Sequence, residues 1–409
     1  MMKEFFNVYT IEAVLAHVQS FSTVGRETVA LADCLGRVLA EDIYSDIDIP
    51  DFDRSTMDGF AVKAASTFGA SEANPAYLNI GGQVKMGIRP DFSIALGEAA
   101  RIATGGMLPK GADSVIMVEH TDALDDTTIE VYRSVAPGQH VIEKGEDICH
   151  TDPALKNGVR IRPQEVGLLA ACGKSTFTVF KRPVIGILST GDEVVPVEHL
   201  PAEGQIRDIN THSLSGQVVA AGGLPVVYGI VKDRRDDLMV KCGSALNECD
   251  MVMISGGSSV GVRDFTVEVL DTLPETDILV HGISISPGKP TILACSGGKP
   301  LWGLPGHAVS AMVVFAVVVR PFLDRLCGLS QATRQFAVKA VLNRNLASVQ
   351  GRVDYVRVRL YEEDGIVMAE PILGKSGLIN TMVKADGLIA IGMNIEGIEQ
   401  GETVMVMPL

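Results

Sequence analysis

From residue 183 onward the chain alternates between continuous apolar strands and helical stretches, and this alternation leaves few folds open. "PVIGILSTGDEVV" is an apolar strand running into a glycine-containing turn. "NTHSLSGQVVAAGG" has helical spacing with Asn210 or Thr211 as its cap, and "LPVVYGIVKD" is a second strand ending in Asp233. "DDLMVKCGSALNEC" reads as a helix, "DMVMISGGSSVG" as a third strand running into glycines, and "FTVEVLDTL" as a helix again. "ILVHGISISPGKPTILA" and "KPLWGLPGHAVSAMVVF" repeat the scheme. The pattern predicts a mostly parallel α/β sheet, in which ligands bind beyond the carboxyl ends of the strands.

The text on either side differs. Residues 10–21 place Ile11, Val14, Leu15, Val18 and Phe21 at helical spacing. From about Tyr77 to Val141 the chain is Gly-rich, with short strands and tight turns, and from about residue 336 it is all strands. The expected organisation is therefore a discontinuous α+β linker domain (1–52 and 140–180), a β-rich inserted domain (53–139), the α/β domain (181–328) and a small C-terminal β-barrel (329–409).

Charge narrows the partners. Lys and Arg number 35 against 50 Asp and Glu, a formal net charge of −15 that repels nucleic acid and anionic membrane surfaces alike. Seven cysteines without a CxxC fit a reduced, cytoplasmic protein with neither a disulfide framework nor a thiolate zinc site. The N-terminus lacks the apolar run and cleavage site of a signal peptide. The most apolar segment, residues 308–319, is closed by Arg320 and Pro321. As a helix it would rise ~18 Å, short of a ~30 Å hydrocarbon core, so it reads as a buried helix.

Each strand exit of the α/β segment carries glycines or polar groups: Thr190-Gly191-Asp192-Glu193, Asp233, Ser255-Gly256-Gly257 with Asp264 beyond, Pro287-Gly288-Lys289-Pro290, and Leu304-Pro305-Gly306. Any one of them alone could be a tight turn or a helix cap. Five at successive strand ends point to a phosphate-bearing ligand, because glycines let backbone N–H groups approach an anion closely. Asp192, Glu193, Asp233 and Asp264 cannot hold an anion themselves; around one crevice they make sense if Mg²⁺ bridges them to a phosphate. Lys289 adds a point charge. Dinucleotide-binding, P-loop, nucleophile-elbow and zinc-protease motifs are all missing from the sequence. His307 reads as a helix-start residue, His212 and His281 as structural or surface groups, and Trp302 as core.

Taken together, "DRSTMDGFAV" (53–62), "RIATGGMLPKGADSVIMVE" (101–119), "GEDI" (145–148), "STGDEVV" (189–195), "SGGSSVGVRDFT" (255–266), "PGKPT" (287–291) and "GLPGHAVSAM" (303–312) resemble the molybdopterin molybdotransferase family, the MoeA proteins and the gephyrin E domain. The resemblance runs nearly the full chain. It implies an elongated homodimer of four-domain subunits that takes adenylylated molybdopterin and molybdate, inserts the metal and releases AMP with Mg²⁺ or a similar divalent ion. Asp58 of "MDG", Thr104 of "ATGG" and Asp147 of "GEDI" match active-site positions brought to the α/β domain by dimer packing. Glu193, Asp233 and Asp264 match its acids, and Asp58, Glu193 and Asp264 are the implied metal ligands. The implied substrate contacts are Thr190, Gly191, Asp192, Ser255, Gly256, Gly257, Ser259, Pro287, Gly288, Lys289, Pro290, Pro305, Gly306 and Ser310. Arg357 and Ser376 match anion-contacting positions of the C-terminal domain.

Two departures fall where the molybdate pocket is expected. Ser286 replaces the first lysine of the family's "KPGKP", and "PGHAVS" replaces "PGNPVS", which puts Ala308 where a proline is usual. Lys375 is the expected compensating base, and the choice between molybdate and tungstate is left open. Two rivals stand beside this reading, a molybdopterin adenylyltransferase and a catalytically idle scaffold of the same fold. The implied partners are a molybdopterin-adenylating enzyme and molybdoenzyme maturation factors.

Overall fold

The inner apolar strands of the α/β segment are buried, whereas the edge strand at 224–231 leaves Leu224, Val226 and Val227 exposed. The computed structural model describes residues 8–256, 265–330 and 336–409. The chain divides into two units, one of residues 1–41, 157–162 and 177–409, the other of residues 42–156 and 163–176.

In the larger unit the elements run β1 (Val184–Thr190), α1 (Asn210–Ala221), β2 (Leu224–Val231), α2 (Arg235–Glu248), β3 (Met251–Ser255), α3 (Phe265–Leu270), β4 (Thr276–His281), β5 (Ile292–Ser296), β6 (Lys299–Leu304) and α4 (Ala308–Val314). They form a six-stranded sheet of order β2-β1-β3-β6-β5-β4. The first four strands are parallel, whereas β5 runs antiparallel to both β6 and β4. The expected repeat of strand, loop and helix thus stops at β4: no helix follows it. Gly297 and Gly298, both with positive φ, turn β5 directly back into β6.

Alternation within β3 explains the continuous apolar text. Met251 and Met253 enter a core shared with Trp302, Leu214 and Phe322, while Val252 and Ile254 enter a second one with Leu238 and Cys242. Each such side chain contributes roughly 1.5–3 kcal/mol through burial. Trp302 is core, as the sequence suggests, and its ring meets Phe322 edge-on at 5.0 Å.

The helix from Ala308 does not end at Pro321. It passes through a wider turn at Phe315–Val319 and continues as α5 (Arg320–Leu326). Proline lacks the N–H that would bond four residues back, and Arg320 instead donates to the carbonyl of Phe315, five residues back. Among the described residues no helix is long and apolar enough to cross a membrane.

The C-terminal strands β7 (Val338–Leu342), β8 (Val353–Glu363), β9 (Ile366–Pro371), β10 (Gly387–Ile391) and β11 (Thr403–Pro408) follow the order β8-β9-β7-β11-β10. A β8–β10 pairing closes them into a barrel, so none of the five is left as an edge. Ile285–Ser286 adds a short parallel pairing, Ile285 to Val353 and Ser286 to Asp354, which ties the α/β loops to the barrel.

The smaller unit holds a six-stranded sheet in which Gly59–Val62 lies between Glu98–Ile102 and Ser114–Met117. Phe60, Ala61 and Val62 are buried, which accounts for the apolar "FAV" behind the acidic stretch. Gly59 is required by close approach: a Cβ there would sit 1.8 Å from the carbonyl oxygen of Ile116.

Candidate functional site

Parallel strands that end together leave a crevice at their carboxyl ends, and here it is a cleft of about 900 Å³ within the larger unit, well within the size of small-molecule sites. Thr190 and Glu193 reach it from the end of β1, Ser255 and Gly256 from β3, and Pro305 and Gly306 from β6. Ser310 lines it from the first turn of α4. Pro287, Gly288, Lys289 and Pro290, which follow the pairing at Ile285–Ser286, also line it, as do Arg357 of β8 and Ser376. Gly256 must be glycine. Its φ is +108°, and a Cβ would fall 2.3 Å from the Thr190 carbonyl oxygen, which would wedge β1 and β3 apart.

Gly191, Asp192 and Asp233 stand beside this wall without lining it. The Asp233 N–H donates to Asp192 Oδ1 at 3.4 Å. Burial first, then the neighbouring carboxylates of Asp192 and Glu193, push the Asp233 carboxyl above its ordinary value. Gly257, Ser259 and Asp264 lie outside the described residues. Asp58, Thr104 and Asp147 belong to the smaller unit. There Asp58 Oδ1 accepts from the Thr104 N–H (2.7 Å) and from Thr104 Oγ1 (3.0 Å), and these bonds, the backbone one first, hold its carboxyl below the usual range. The sheet brings the pair together, because Gly59 is registered opposite Ile102. Asp147 is exposed, with its N–H donated to the Ile49 carbonyl at 3.0 Å.

Asp208 and Asn210 line the cleft without belonging to any of the motifs read from the sequence. Ser189 Oγ donates to buried Asp208 Oδ1 (2.8 Å) and lies 2.9 Å from Thr211 Oγ1, while the Thr211 N–H donates to the same carboxylate at 3.1 Å. The first turn of α1 is therefore satisfied by Asp208, not by Asn210 or Thr211 as the sequence suggested. Asn210 instead turns inward and donates from Nδ2 to the Gly306 carbonyl at 2.9 Å. Its Oδ1 and the Thr190 Oγ1 are buried without a hydrogen-bond partner among the described residues. An orphaned amide oxygen and an orphaned hydroxyl beside an open cleft mark places for ligand or water. An aspartate two residues before a helix, as in "RDIN", is the one signal that could have exposed this group.

Arg357 is buried, and both of its described side-chain hydrogen bonds go to neutral oxygens, Thr381 Oγ1 (2.9 Å) and the Gly374 carbonyl (2.8 Å). Its Nε has no partner among the described residues, and burial lowers its pKa. A buried guanidinium bonded this way is suited to an anion. Arg352 also lines the cleft, in an ion pair with Asp354 at 2.9 Å that lacks hydrogen-bond alignment. Lys375 does not fill the place of the missing lysine: it is exposed and off the cleft, whereas its neighbours Gly374 and Ser376 are drawn inward by bonds from Arg357 and the Val309 N–H. His307 does line the cleft, and its Nδ1 is 2.8 Å from Ser376 Oγ.

Among the described residues no three His, Cys, Asp or Glu side chains are arranged to hold a metal unaided. Glu193 on the wall, with Asp192 and Asp233 beside it, nevertheless supplies the hard oxygen donors that suit Mg²⁺. That ion commonly takes one or two carboxylates and completes its shell with water and phosphate.

Three family descriptions match the chain in order: "MoeA N-terminal region (domain I and II)" over residues 9–173, "Probable molybdopterin binding domain" over 186–325, and "MoeA C-terminal region (domain IV)" over 339–409. A protein of Bacillus subtilis named molybdopterin molybdenumtransferase is 31% identical over 402 residues, 97% of this chain and 93% of its own length. Two solved molybdopterin biosynthesis MoeA structures from Pyrococcus horikoshii each cover 98% of this chain. One is 39% identical with a TM-score of 0.78 over 99% of its own length, the other 31% identical with a TM-score of 0.85 over 100%.

Proposed function

The chain belongs to the MoeA family, and from that premise we propose that it inserts molybdate into adenylylated molybdopterin and releases AMP. The observation that carries this reading is a single cleft lined by two chemically different sets of groups. One set is the backbone and hydroxyl groups at Thr190, Ser255 and Gly256, with the buried Oδ1 of Asn210. The other is Lys289, Arg357 and Ser376. A nucleotide-bearing substrate suits the first set and a compact oxyanion the second.

The protein's part is then to position and to neutralise. Glycine at 256 lets the chain pass close to a phosphate, while Asn210, tied to Gly306, locks the strand ends together. Arg357 and Ser376 orient the oxyanion toward the dithiolene. A divalent cation such as Mg²⁺, held by Glu193, Asp264 and Asp58, would supply charge neutralisation at the phosphoanhydride. The proposal includes the four-part domain division, a cytoplasmic homodimer in which Asp58, Thr104 and Asp147 complete the site of the partner subunit, and a molybdopterin-adenylating enzyme as supplier of substrate.

The test is AMP release from purified adenylylated molybdopterin. Molybdate should stimulate it, and Asp58→Asn should depress it while leaving the unfolding transition in place. Pyrophosphate formation from molybdopterin and ATP, without AMP release, would instead identify an adenylyltransferase.

A further inference from the structure

His307 stands where the family's loop usually has asparagine, and the structure gives it a partner. Its Nδ1 lies 2.8 Å from Ser376 Oγ, and both residues line the cleft. The contact is held from two sides. The Val309 N–H donates to the Ser376 carbonyl at 3.1 Å, and Arg357 donates to the Gly374 carbonyl at 2.8 Å, so the 374–377 turn is clamped against the start of α4.

A serine hydroxyl has one proton to give. If Nδ1 is an unprotonated acceptor, that proton points at the ring, and only lone pairs face the cleft. If Nδ1 carries a proton, the ring donates to Oγ and the hydroxyl proton is free to turn toward an anion. Starting from the neutral Nε2–H tautomer, in which Nδ1 accepts from Ser376, protonating the imidazole does two things in the same direction: it adds a positive charge beside the cleft and converts Ser376 from a repelling group to a donor.

We propose that His307 is the positioning residue that sets oxyanion affinity, by fixing the direction of the Ser376 hydroxyl, and that it makes oxyanion binding tighten as pH falls. The proposal rests on the reading of Lys289, Arg357 and Ser376 as the oxyanion site. Imidazole is the side chain that ordinarily changes charge between about pH 5 and 8, and among the described residues His307 is the histidine that lines the cleft. The cations that line the cleft with it are Arg207, Lys289, Arg352 and Arg357, with exposed Lys375 next to Ser376. The carboxylates are Glu193, Asp208 and Asp354. Asp208 accepts from Ser189 and Thr211, and Asp354 is engaged by Arg352 and by Ser348 Oγ at 2.7 Å. Asp233, behind the wall, would shed charge in the same direction, so the decisive variants are at 307 and 376.

The experiment is calorimetric titration of the full chain with sodium molybdate at about pH 6 and about pH 8, in buffers of different ionisation enthalpy. The wild type should bind about tenfold more tightly at the lower pH, with net proton uptake on binding near neutrality. His307→Asn and His307→Gln, which cannot titrate at this position, should lose most of that difference, with only the contribution of Asp233 left. Ser376→Ala should lose affinity chiefly at the lower pH, a pattern that loss of charge alone would not give. No proton uptake by the wild type, or unchanged pH dependence in both His307 variants, overturns the inference. An Arg357→Ala arm separates the two layers. If it weakens molybdate binding, by the ~30-fold that loss of a hydrogen-bonded charge implies, while the pH pattern fails, only the role of His307 is lost. If it binds like the wild type, the oxyanion site itself is misassigned and both readings fall.

Discussion

Under the proposed function, Ser286 stands in place of a lysine in the pocket that receives a dianion. An ammonium ~4 Å from such a charge contributes on the order of 1–4 kcal/mol, depending on the effective dielectric. Ser286→Lys should accordingly tighten molybdate binding about tenfold or more, read by titration calorimetry and by the molybdate concentration giving half-maximal AMP release. Lys375→Ala should change little, because that side chain is exposed and off the cleft, and should resemble Lys384→Ala. Arg357→Ala, by contrast, removes a buried cation and the clamp on the 374–377 turn. A hydrogen-bonded charge of this kind is worth about 2 kcal/mol, so affinity should fall ~30-fold. Asp233 tests the cost of the acidic set. Its carboxyl is pushed up in the folded chain, so its ionisation opposes folding above that raised pKa, and stability recovers as pH falls through it. Asp233→Asn should therefore raise the unfolding temperature at neutral pH, with the gain shrinking in acid, while lowering turnover. An equal gain at every pH would refute the electrostatic account.

At the scale of elements, the cleft exists because strands of one direction stop at one level. Gly256 keeps β1 and β3 in contact at that level, and alanine there meets both the Thr190 carbonyl and an unfavourable φ. The strain should destabilise the chain by about 1–3 kcal/mol and weaken substrate binding in parallel. Phe322 reaches Trp302 and Phe21, with ring centroids 5.0 Å and 5.6 Å away, from beyond the wide turn that lets the helix pass Pro321. Phe322→Ala should cost about 3–5 kcal/mol in chemical denaturation, as a fully buried aromatic does. A cost below ~1 kcal/mol would mean that this helix contributes little to the core.

At the scale of the whole molecule, the proposed functional residues lie on two separate units of the chain. Under the dimer proposal a monomer holds no complete site, so specific activity should fall on dilution through the dissociation constant of the dimer. Mixing Asp58→Asn with Asp264→Asn should restore part of the activity, since one of the two sites in a heterodimer carries both wild-type acids. Verified subunit exchange without recovery would argue for a site built within one chain.

What the residues determined alone was local and periodic. Apolar strands with glycine exits announced the parallel sheet, and "STGDEVV", "PGKPT" and "GLPG" announced its loops, because a turn close to an anion needs the same glycines in any context. The buried tryptophan and the closing run of strands were legible for the same reason. What the tertiary structure decided was every matter of facing. The β5–β6 hairpin replaced an expected helix, and the helix ran on past Pro321 because a wider turn absorbed the missing N–H. Lys375 pointed out while Arg357 was buried at the cleft, and Asp208 took the capping role read onto Asn210. His307 could be read as a helix start, but its bond to Ser376 spans 69 positions of sequence. Periodicity reports which side of its own element a residue occupies; which distant group it meets is set by how elements pack.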